Sequence, residues 1–408
     1  MKRALVAVLF VCMALTGMSV PLGASEISGA TLLVKFRSGV SEAARDDAAR
    51  DVDGRRVRRL GFIGVDVLRV EGDGGEALSQ LRDDPRVVYA ERNIRQRALA
   101  SFPNDPSFGQ QWNMNQGNDA DIDAPEAWAA AYGTDTNGNT LFPTTPTGPK
   151  IGIIDTGIDA DHPDLVGKLA GCASALTGVG LITSGCEDDN GHGTHVAGIA
   201  SALTNNGKGV AGTAPDARIT MCKALNSAGV GFVADINACM NWLAGQGVSA
   251  ISMSLGGGKT SSQQDTVNKI WNNGAGTLMV AAAGNDGNSA VNYPAGYAEV
   301  VSVASTTNTD AQSSFSNENA DVEVAAPGSS ILSTYLAGTY ATASGTSMAT
   351  PHAAGVAAMI TAENGVAGQA LRDALGAAVD DLGPAGRDIY FGYGRVNLAK
   401  AVRGGGGG

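Results

Sequence analysis

The chain has 408 residues, a formal net charge of −12 at pH 7 and five cysteines. Acidic residues are concentrated after residue 100, where 27 Asp and Glu face 12 Lys and Arg, whereas residues 25–100 carry 13 against 14. An acidic region of this size is a poor candidate for binding nucleic acid or an anionic membrane. The length allows one large domain and one smaller domain.

Residues 1–24 have the pattern of a secretory signal peptide. Lys2 and Arg3 precede an apolar run over residues 4–15, and mostly small residues lead to Ala24. This run is shorter than the ~20 residues of a typical transmembrane helix, which favours export over anchoring. We therefore expect a secreted protein, extracellular or periplasmic in transit, without a stable membrane anchor.

Residues 25–100 alternate between strand and helix patterns. Strands are expected at residues 30–36, 65–70 and 87–90, and helices near residues 42–52 and 75–81. Residues 95–101 show no strong periodic pattern, so we interpret them as a linker before a second domain.

From residue 150 to residue 402, short apolar strands alternate with helical stretches. Two of the apolar runs, residues 251–255 and 278–283, are bounded by glycine, as buried parallel strands are. The pattern predicts an α/β fold with a parallel sheet that is covered on both faces. The glycines at 404–408 predict a flexible tail. The domain boundaries that we expect are 1–24, 25–100, 101–403 and 404–408.

Four cysteines remain once Cys12 leaves with the signal peptide. An even number in an exported chain predicts disulfides, but three pairings can be drawn and the sequence does not choose among them. Pairing neighbours in the chain would close two short loops, Cys172 with Cys186 and Cys222 with Cys239. The alternative is four reduced, buried thiols. No cysteine spacing is typical of a zinc site.

Three motifs supply a carboxylate, an imidazole and a hydroxyl in the chain order Asp, His, Ser. They are Asp155-Thr156-Gly157, Asn190-Gly191-His192-Gly193-Thr194-His195 and Gly345-Thr346-Ser347-Met348-Ala349. A serine hydroxyl is a weak nucleophile that needs an adjacent base, which an acid orients in turn. The motifs resemble the signature blocks of the subtilisin-like serine proteases, and the resemblance covers residues 150–402.

The resemblance implies a subtilisin-like three-layer α/β fold, preceded by a small ferredoxin-like α+β pro-domain with the order β-α-β-β-α-β. Residues 102–108 look like the mature amino terminus of the thermitase-like members of that family. This similarity implies a cut between pro-domain and enzyme near Ala100-Ser101. The pro-domain would then act as an intramolecular inhibitor.

The resemblance also assigns a role to each catalytic residue. Asp155 would orient His192, His192 would serve as general base and acid, and Ser347 would be the nucleophile at the start of a helix. Asn285 would donate to the oxyanion together with the backbone N–H of Ser347. The plainer alternatives are a helix-capping serine and a turn asparagine. His195 would be structural.

The expected substrate groove follows two strand ends. The backbone of Ser254, Leu255 and Gly256 would pair with an extended polypeptide. It would form one wall of the primary specificity pocket, with Ala282 and Gly284 on the other wall. Asn292, near the pocket floor, carries no charge, so we expect broad specificity with a preference for apolar side chains at P1.

The family pattern further implies a structural Ca²⁺ ion. Its side-chain ligands would be Asp105, Asp164 and Asn206, and its main-chain ligands the carbonyls of Leu203, Lys208 and Val210. The alternative is that the three polar side chains are unrelated surface residues. A second oxygen-rich stretch, residues 135–139, favours a plain surface turn over a calcium site.

Taken together, the sequence predicts a secreted serine endopeptidase that is made as an autoprocessed zymogen, cleaves polypeptides and is monomeric. An α/β-hydrolase esterase would use Gly-x-Ser-x-Gly and the order Ser, Asp, His, and neither is present. Two alternatives on the same fold stay open. One is a peptide ligase or transferase acting through the same acyl-enzyme, and the other is a catalytically silent binding protein.

Overall fold

The computed structural model of the chain describes residues 30–72, 74–93 and 102–403. Its contacts divide the chain into two units, Met1–Arg97 and Ala98–Gly408. The predicted signal peptide at 1–24, the cut at Ala100-Ser101 and the glycine tail at 404–408 lie outside the described residues.

The first unit is a four-stranded antiparallel sheet with two helices. Its strands lie in the order β2-β3-β1-β4, and alternate residues of β1 are buried in the unit's core. The chain order β-α-β-β-α-β agrees with the ferredoxin-like prediction. The elements are β1 (Thr31–Phe36), α1 (Glu42–Arg50), β2 (Gly54–Leu60), β3 (Val65–Val70), α2 (Gly75–Asp83) and β4 (Val87–Arg92).

The order β-α-β-β-α-β implied strand β2, but the residue pattern did not locate it, because consecutive arginines hide its alternation. The buried carboxylate of Asp66 on the neighbouring strand β3 explains them. Arg56 and Arg59 of β2 pair with it at 3.2 and 3.4 Å, and Arg45 of α1 pairs with it at 3.5 Å. These arginines therefore neutralise a buried charge within the unit.

The second unit is built on a nine-stranded sheet with helices and also contains a separate antiparallel pair of strands, Ile331–Tyr335 and Thr339–Ala343. Its strands are β5 (Lys150–Asp155), β6 (Leu169–Ser174), β7 (Arg218–Lys223), β8 (Val248–Met253), β9 (Leu278–Ala282), β10 (Val301–Thr306), β11 (Val322–Pro327), β12 (Ile331–Tyr335), β13 (Thr339–Ala343), β14 (Val379–Asp380) and β15 (Arg395–Val396). Its helices are α3 (Ala124–Tyr132), α4 (His192–Ser201), α5 (Val233–Ala244), α6 (Ser261–Trp271), α7 (Thr346–Asn364), α8 (Gly368–Ala377) and α9 (Leu398–Arg403).

The large sheet has the order β14-β15-β11-β10-β9-β8-β5-β7-β6 and is parallel except between β14 and β15. Strands β9, β10 and β11 are buried at every residue, as strands covered on both faces must be. From β5 the chain continues to β6 and β7 on one side and to β8 on the other. The carboxyl ends of β5 and β8 therefore meet at a switch point, where open α/β sheets place their sites.

Helices α4 and α7 pack against each other and against the central strands β5, β8 and β9. Helix α7 is buried at nearly every position through Ile360, so it runs inside the protein. Pro351 is the sixth residue of α7 and lies inside the helix, so it offers no N–H to the carbonyl of Ser347, which accepts from Ser254 Oγ instead. Among the described residues, no helix is both long and apolar enough to span a membrane.

Both local disulfides are present, which resolves the pairing that the sequence left open. Cys172 of β6 joins Cys186, with their Cα atoms 5.5 Å apart. Cys222 of β7 joins Cys239 of α5, with their Cα atoms 5.6 Å apart. The second bridge is fully buried, whereas Cys172 is exposed.

We expect the two bridges to differ in reactivity but to contribute similarly to stability. Each closes a loop of similar length, with sequence separations of 14 and 17, and loop entropy gives about 3 kcal/mol for each. Under mild reductant, alkylation and peptide mapping should label Cys172 and Cys186 before Cys222 and Cys239. Equal labelling rates in the folded protein would contradict the assigned burial.

Candidate active site

The predicted catalytic residues lie at the ends of elements around the switch point. Asp155 is the last residue of β5 and is fully buried. His192 is the first residue of α4, and Ser347 is the second residue of α7. Ser254 directly follows β8. The sheet topology therefore brings together a carboxylate, an imidazole and a hydroxyl that are far apart in sequence.

Asp155 and His192 form a direct hydrogen bond. The imidazole Nδ1 donates to Asp155 Oδ1 at 2.7 Å, and the backbone N–H of Thr156 donates to the same oxygen at 2.7 Å. Burial lowers the pKa of His192, but the charge and hydrogen bond of Asp155, with the charge of Asp188, raise it above 6.5 overall. The His192 side chain is 30% exposed, so the imidazole can be reached from the solvent.

The other three histidines of the chain are held by backbone or amide groups. His195 Nε2 donates to the carbonyl of Ala341 at 3.0 Å, and His162 Nε2 donates to that of Thr339 at 2.9 Å. His352 donates from Nδ1 to the carbonyl of Met348 at 2.9 Å, while its Nε2 accepts from the amide of Asn113 at 2.8 Å. Burial lowers the pKa of both His195 and His352 to about 4.

Ser347 is joined to Ser254 by reciprocal hydrogen bonds. Ser254 Oγ donates to the carbonyl of Ser347 at 2.8 Å, and Ser347 Oγ donates to the carbonyl of Ser254 at 3.3 Å. Ser254 also lines the same cleft as His192. Among the described residues, Ser347 Oγ makes no hydrogen bond to His192. The Ser347 hydroxyl is instead bonded to the backbone of Ser254.

Asn285 and the start of α7 border one small space. Asn285 Oδ1 accepts from the backbone N–H and the hydroxyl of Thr346, at 2.8 and 2.9 Å. This fixes the amide so that Nδ2 is its free donor. A methyl group built on Gly345 would lie 3.4 Å from Asn285 Nδ2 and 3.6 Å from the backbone nitrogen of Ser347. The amide nitrogen of Asn285 and the backbone nitrogen of Ser347 therefore both lie beside Gly345.

A cleft of about 400 Å³ leads away from His192. Its lining includes three of the predicted substrate-binding residues, Ser254, Leu255 and Gly256. The others, Ala282, Gly284 and Asn292, do not line it. Asn292 lies behind the cleft wall, where a side chain added to Gly256 would overlap its amide and one added to Gly284 would touch its Cβ. Asn292 therefore packs against Gly256 and Gly284, one residue of each predicted pocket wall.

The predicted calcium ligands gather around the loop at residues 203–210. Asp105 accepts from the backbone N–H groups of Asn205 and Asn206 at 2.7 and 3.2 Å. Asp164 accepts from Val210 N at 2.9 Å and from the side-chain amide of Asn206 at 2.9 Å. Asn206 thus turns its nitrogen toward Asp164, whereas a ligand would present its oxygen.

Charge around this loop is uncompensated. Asp105 and Asp164 are both buried, and no ion pair involves either within the described part of the chain. Burial, and secondarily the charge of Asp164, raises the pKa of Asp105 to about 6. The described residues contain no group of three His, Cys, Asp or Glu side chains suited to a metal, and the predicted set has two carboxylates. Two carboxylates with nearby amide and carbonyl oxygens are a donor set that suits Ca²⁺.

Residues 135–139 have the geometry of a surface turn. Asp135 Oδ1 accepts from the backbone N–H groups of Asn137 and Asn139 at 2.8 Å, and Oδ2 accepts from the Asn139 amide at 3.0 Å. The carboxylate thus closes its own turn, in agreement with the plainer interpretation of this stretch.

Sequence reasoning missed three residues that hold the site together. Thr346 orients Asn285, and Thr156 and Asp188 hold the first turn of α4 through the contacts described below. Thr156 and Thr346 lie inside motifs that had been recognised for their neighbours. Asp188 had a signal of its own, because an acid shortly before a helix start is typical of a residue that binds the helix N–H groups.

Comparisons with known proteins identify both units. Residues 146–394 match the Subtilase family, and residues 30–93 match the fervidolysin N-terminal prodomain. The chain is 44% identical to thermitase of Thermoactinomyces vulgaris over 302 residues, covering 74% of this chain and 99% of that protein. It is 36% identical to the thermophilic serine proteinase of Bacillus sp. strain AK1 over 381 residues, covering 91% and 86%.

A solved structure also matches, from the proteases of Pseudoalteromonas arctica PAMC 21717. The TM-score is 0.64 at 29% identity, and the match covers 75% of this chain and all of that one. The predicted α/β fold is therefore confirmed.

We expect the histidines to titrate at different pH values, measured by NMR in a Ser347→Ala protein. This variant avoids self-digestion during the measurement. His192 should titrate above 6.5, because the paired carboxylate favours its charged form. His195 and His352 should stay neutral until about pH 4. Assignment uses His192→Gln and His195→Gln. A His192 resonance that titrates below 6.5 would contradict the Asp155 contact.

Proposed function

Because the chain belongs to the subtilase family of serine peptidases, we propose that it is a secreted endopeptidase that hydrolyses polypeptides through an acyl-enzyme. The observation that supports this most strongly is the 2.7 Å contact between buried Asp155 and partly exposed His192 at the sheet's switch point. A carboxylate in this position fixes the imidazole tautomer and stabilises the imidazolium.

In the proposed reaction, the Ser347 hydroxyl attacks the peptide carbonyl while His192 takes its proton. Asp155 stays ionised and stabilises the imidazolium. The oxyanion receives hydrogen bonds from Asn285 Nδ2 and the backbone N–H of Ser347, which border one space beside Gly345. His192 then protonates the leaving amine, and water releases the acyl group by the same steps.

We propose broad specificity with an apolar P1 preference. An extended substrate would pair with the backbone of residues 254–256, which borders the cleft beside His192. Asn292 lies behind Gly256 and is uncharged, so nothing there selects for lysine or arginine. The cleft itself is also lined by apolar side chains, among them Leu225, Val230 and Leu255.

We propose that the protein is an exported zymogen that processes itself and acts as a monomer. Residues 1–24 would direct export, and residues 25–100 would inhibit the enzyme intramolecularly until cleavage near Ala100-Ser101. The match of residues 30–93 to the fervidolysin prodomain supports this. Residues 101–403 would then form the mature peptidase.

We also propose that one Ca²⁺ ion stabilises the mature enzyme. Asp105 and Asp164 would supply carboxylates, Asn206 its amide oxygen, and Leu203, Lys208 and Val210 their carbonyls. The buried, unpaired carboxylates support this proposal. Because Asp105 lies close to the proposed mature terminus, the ion would also tie that terminus to the 203–210 loop.

Replacing Ser347 with Ala should abolish proteolysis and leave the precursor uncleaved. Loss of the nucleophile costs about 10⁶-fold in turnover, and self-processing needs the same hydroxyl. Casein cleavage and amino-terminal sequencing should show activity and a terminus near Ser101 only for the active protein. Ser344→Ala is the matched control, since this exposed serine accepts only from the backbone of Ser330.

Mature-sized protein from a pure Ser347→Ala preparation would contradict self-processing. Analysis of the products for hydrolysis against transfer to an added amine separates a peptidase from a peptide ligase.

Asp164→Ala should remove most of the calcium dependence of thermal stability. A ligand that binds only the folded state stabilises it by about 2.7 kcal/mol at a hundredfold excess over Kd. Chelation should therefore lower the melting temperature of the wild type more than its intrinsic rate. Asp135→Ala is the matched control and should keep the full response. An unchanged calcium response in Asp164→Ala would show that the ligands are elsewhere.

A further inference from the structure

Asp188 lies four residues before His192 and is almost fully buried. Its carboxylate accepts five hydrogen bonds. Oδ1 accepts from Thr156 Oγ1 at 2.8 Å and from the backbone N–H groups of Asn190 and Gly191 at 3.0 Å. Oδ2 accepts from the backbone N–H and hydroxyl of Thr194 at 2.9 and 2.6 Å. These donors lie on both sides of His192 in the chain.

Thr156 connects this carboxylate to the strand that carries Asp155. Its hydroxyl donates to Asp188 and accepts from the backbone N–H of Gly193 at 2.9 Å. The residue after the orienting carboxylate is thus bonded to the residue after the imidazole. Asp188 completes the connection because it holds the next turn through Thr194.

The residues before Asp188 are held by the segment that follows β5. The backbone N–H of Ile158 donates to the carbonyl of Cys186 at 2.8 Å, and Ile158 forms a bridge with Glu187. Cys186 is also fixed by its disulfide to Cys172. Contacts outside α4 therefore fix residues 186–188, the segment that carries Asp188.

Asp155 and Asp188 are the two carboxylates whose negative charges raise the pKa of His192. Lys223 on β7 pairs with Asp189, and Tyr335 on β12 donates to the carbonyl of Asn190. His195 on α4 and His352 on α7 have pKa values of about 4. Burial raises the pKa of Asp188, but its hydrogen bonds lower it below 3.8 overall, so Asp188 stays ionised.

We propose that Asp188 is a positioning residue that acts through Thr156 and the first turn of α4 to hold His192 against Asp155, and that its charge stabilises the imidazolium. This inference rests on the proposed function. Asp188 touches neither substrate nor reacting atoms in this role. A purely structural alternative exists, in which Asp188 only caps the helix and contributes to stability.

The chain offers a matched control for that alternative. Asp235 is fully buried and accepts from the backbone N–H groups of Gly178 and Gly180 at 2.7 and 2.9 Å and from Thr177 Oγ1 at 3.3 Å. Asp235→Asn therefore removes the same kind of buried carboxylate from the first turn of α5, where it holds the loop at residues 177–180 and not the start of α4. Thr156→Val removes the hydroxyl bridge without changing any charge.

The experiment compares the pH profile of kcat/KM for Asp188→Asn, Thr156→Val, Asp235→Asn and the wild type, normalised to active sites. Asp188→Asn should lower kcat by about 100-fold with little change in KM. Its acidic limb should move to lower pH by about half a unit, because loss of a negative charge disfavours the imidazolium. Thr156→Val should lower kcat and move the acidic limb less than Asp188→Asn does, because it removes no charge. Asp235→Asn should change only thermal stability.

The pKa of His192 by NMR, in a Ser347→Ala background, gives a measurement that needs no turnover. It should fall with Asp188→Asn and stay constant with Asp235→Asn. If the wild type cleaves nothing, the proposed function fails while this titration still decides the inference. An unmoved His192 pKa in Asp188→Asn overturns the electrostatic part, and an unchanged kcat in folded Thr156→Val overturns the positioning part.

Discussion

The close approach between the end of β5 and the start of α4 is the constraint on which the site depends. A methyl group on Gly193 would overlap the carbonyl oxygen of Gly157, so the helix can begin this near the strand only because residue 193 is glycine. The same approach sets the 2.7 Å contact between His192 and Asp155. The short distance between these two backbones therefore allows the Asp155–His192 hydrogen bond and the other hydrogen bonds that join the end of β5 to the start of α4.

Two opposing effects decide which histidine can act as a base. Burial disfavours the charged imidazole, and it prevails at His195 and His352, whose pKa values fall to about 4. At His192 the neighbouring carboxylates outweigh burial, and the pKa rises above its ordinary value. An imidazole whose charged form is stabilised in this way accepts a proton more readily. The two histidines of the His-Gly-Thr-His motif thus differ in pKa, because His192 has a carboxylate partner and His195 has a backbone carbonyl partner.

The sequence allowed the parallel sheet to be predicted because its central strands are unbroken apolar runs. It also indicated Asp155, His192 and Ser347, since motif resemblance carries chain order and local context. Three features depend on side-chain placement instead and could not be predicted. These are the disulfide pairing, the Ser347 hydroxyl bonded to Ser254, and Asn292 lying behind the cleft wall. Strand β2 was not located because two of its arginines, Arg56 and Arg59, pair with the carboxylate of Asp66 on strand β3 and so interrupt the alternating pattern.

Buried carboxylates in this protein are stabilised in different ways. Asp66 is surrounded by arginines, and Asp188 collects five hydrogen-bond donors. Asp105 and Asp164 have fewer donors, lie close enough for their charges to interact, and pair with no cationic side chain within the described residues. Isolated buried charges are costly, so a pair of this kind is retained where something else supplies positive charge. A divalent cation would do so at one point, and because it would bind the folded chain only, the repulsion between the two carboxylates would increase the stability gained on binding.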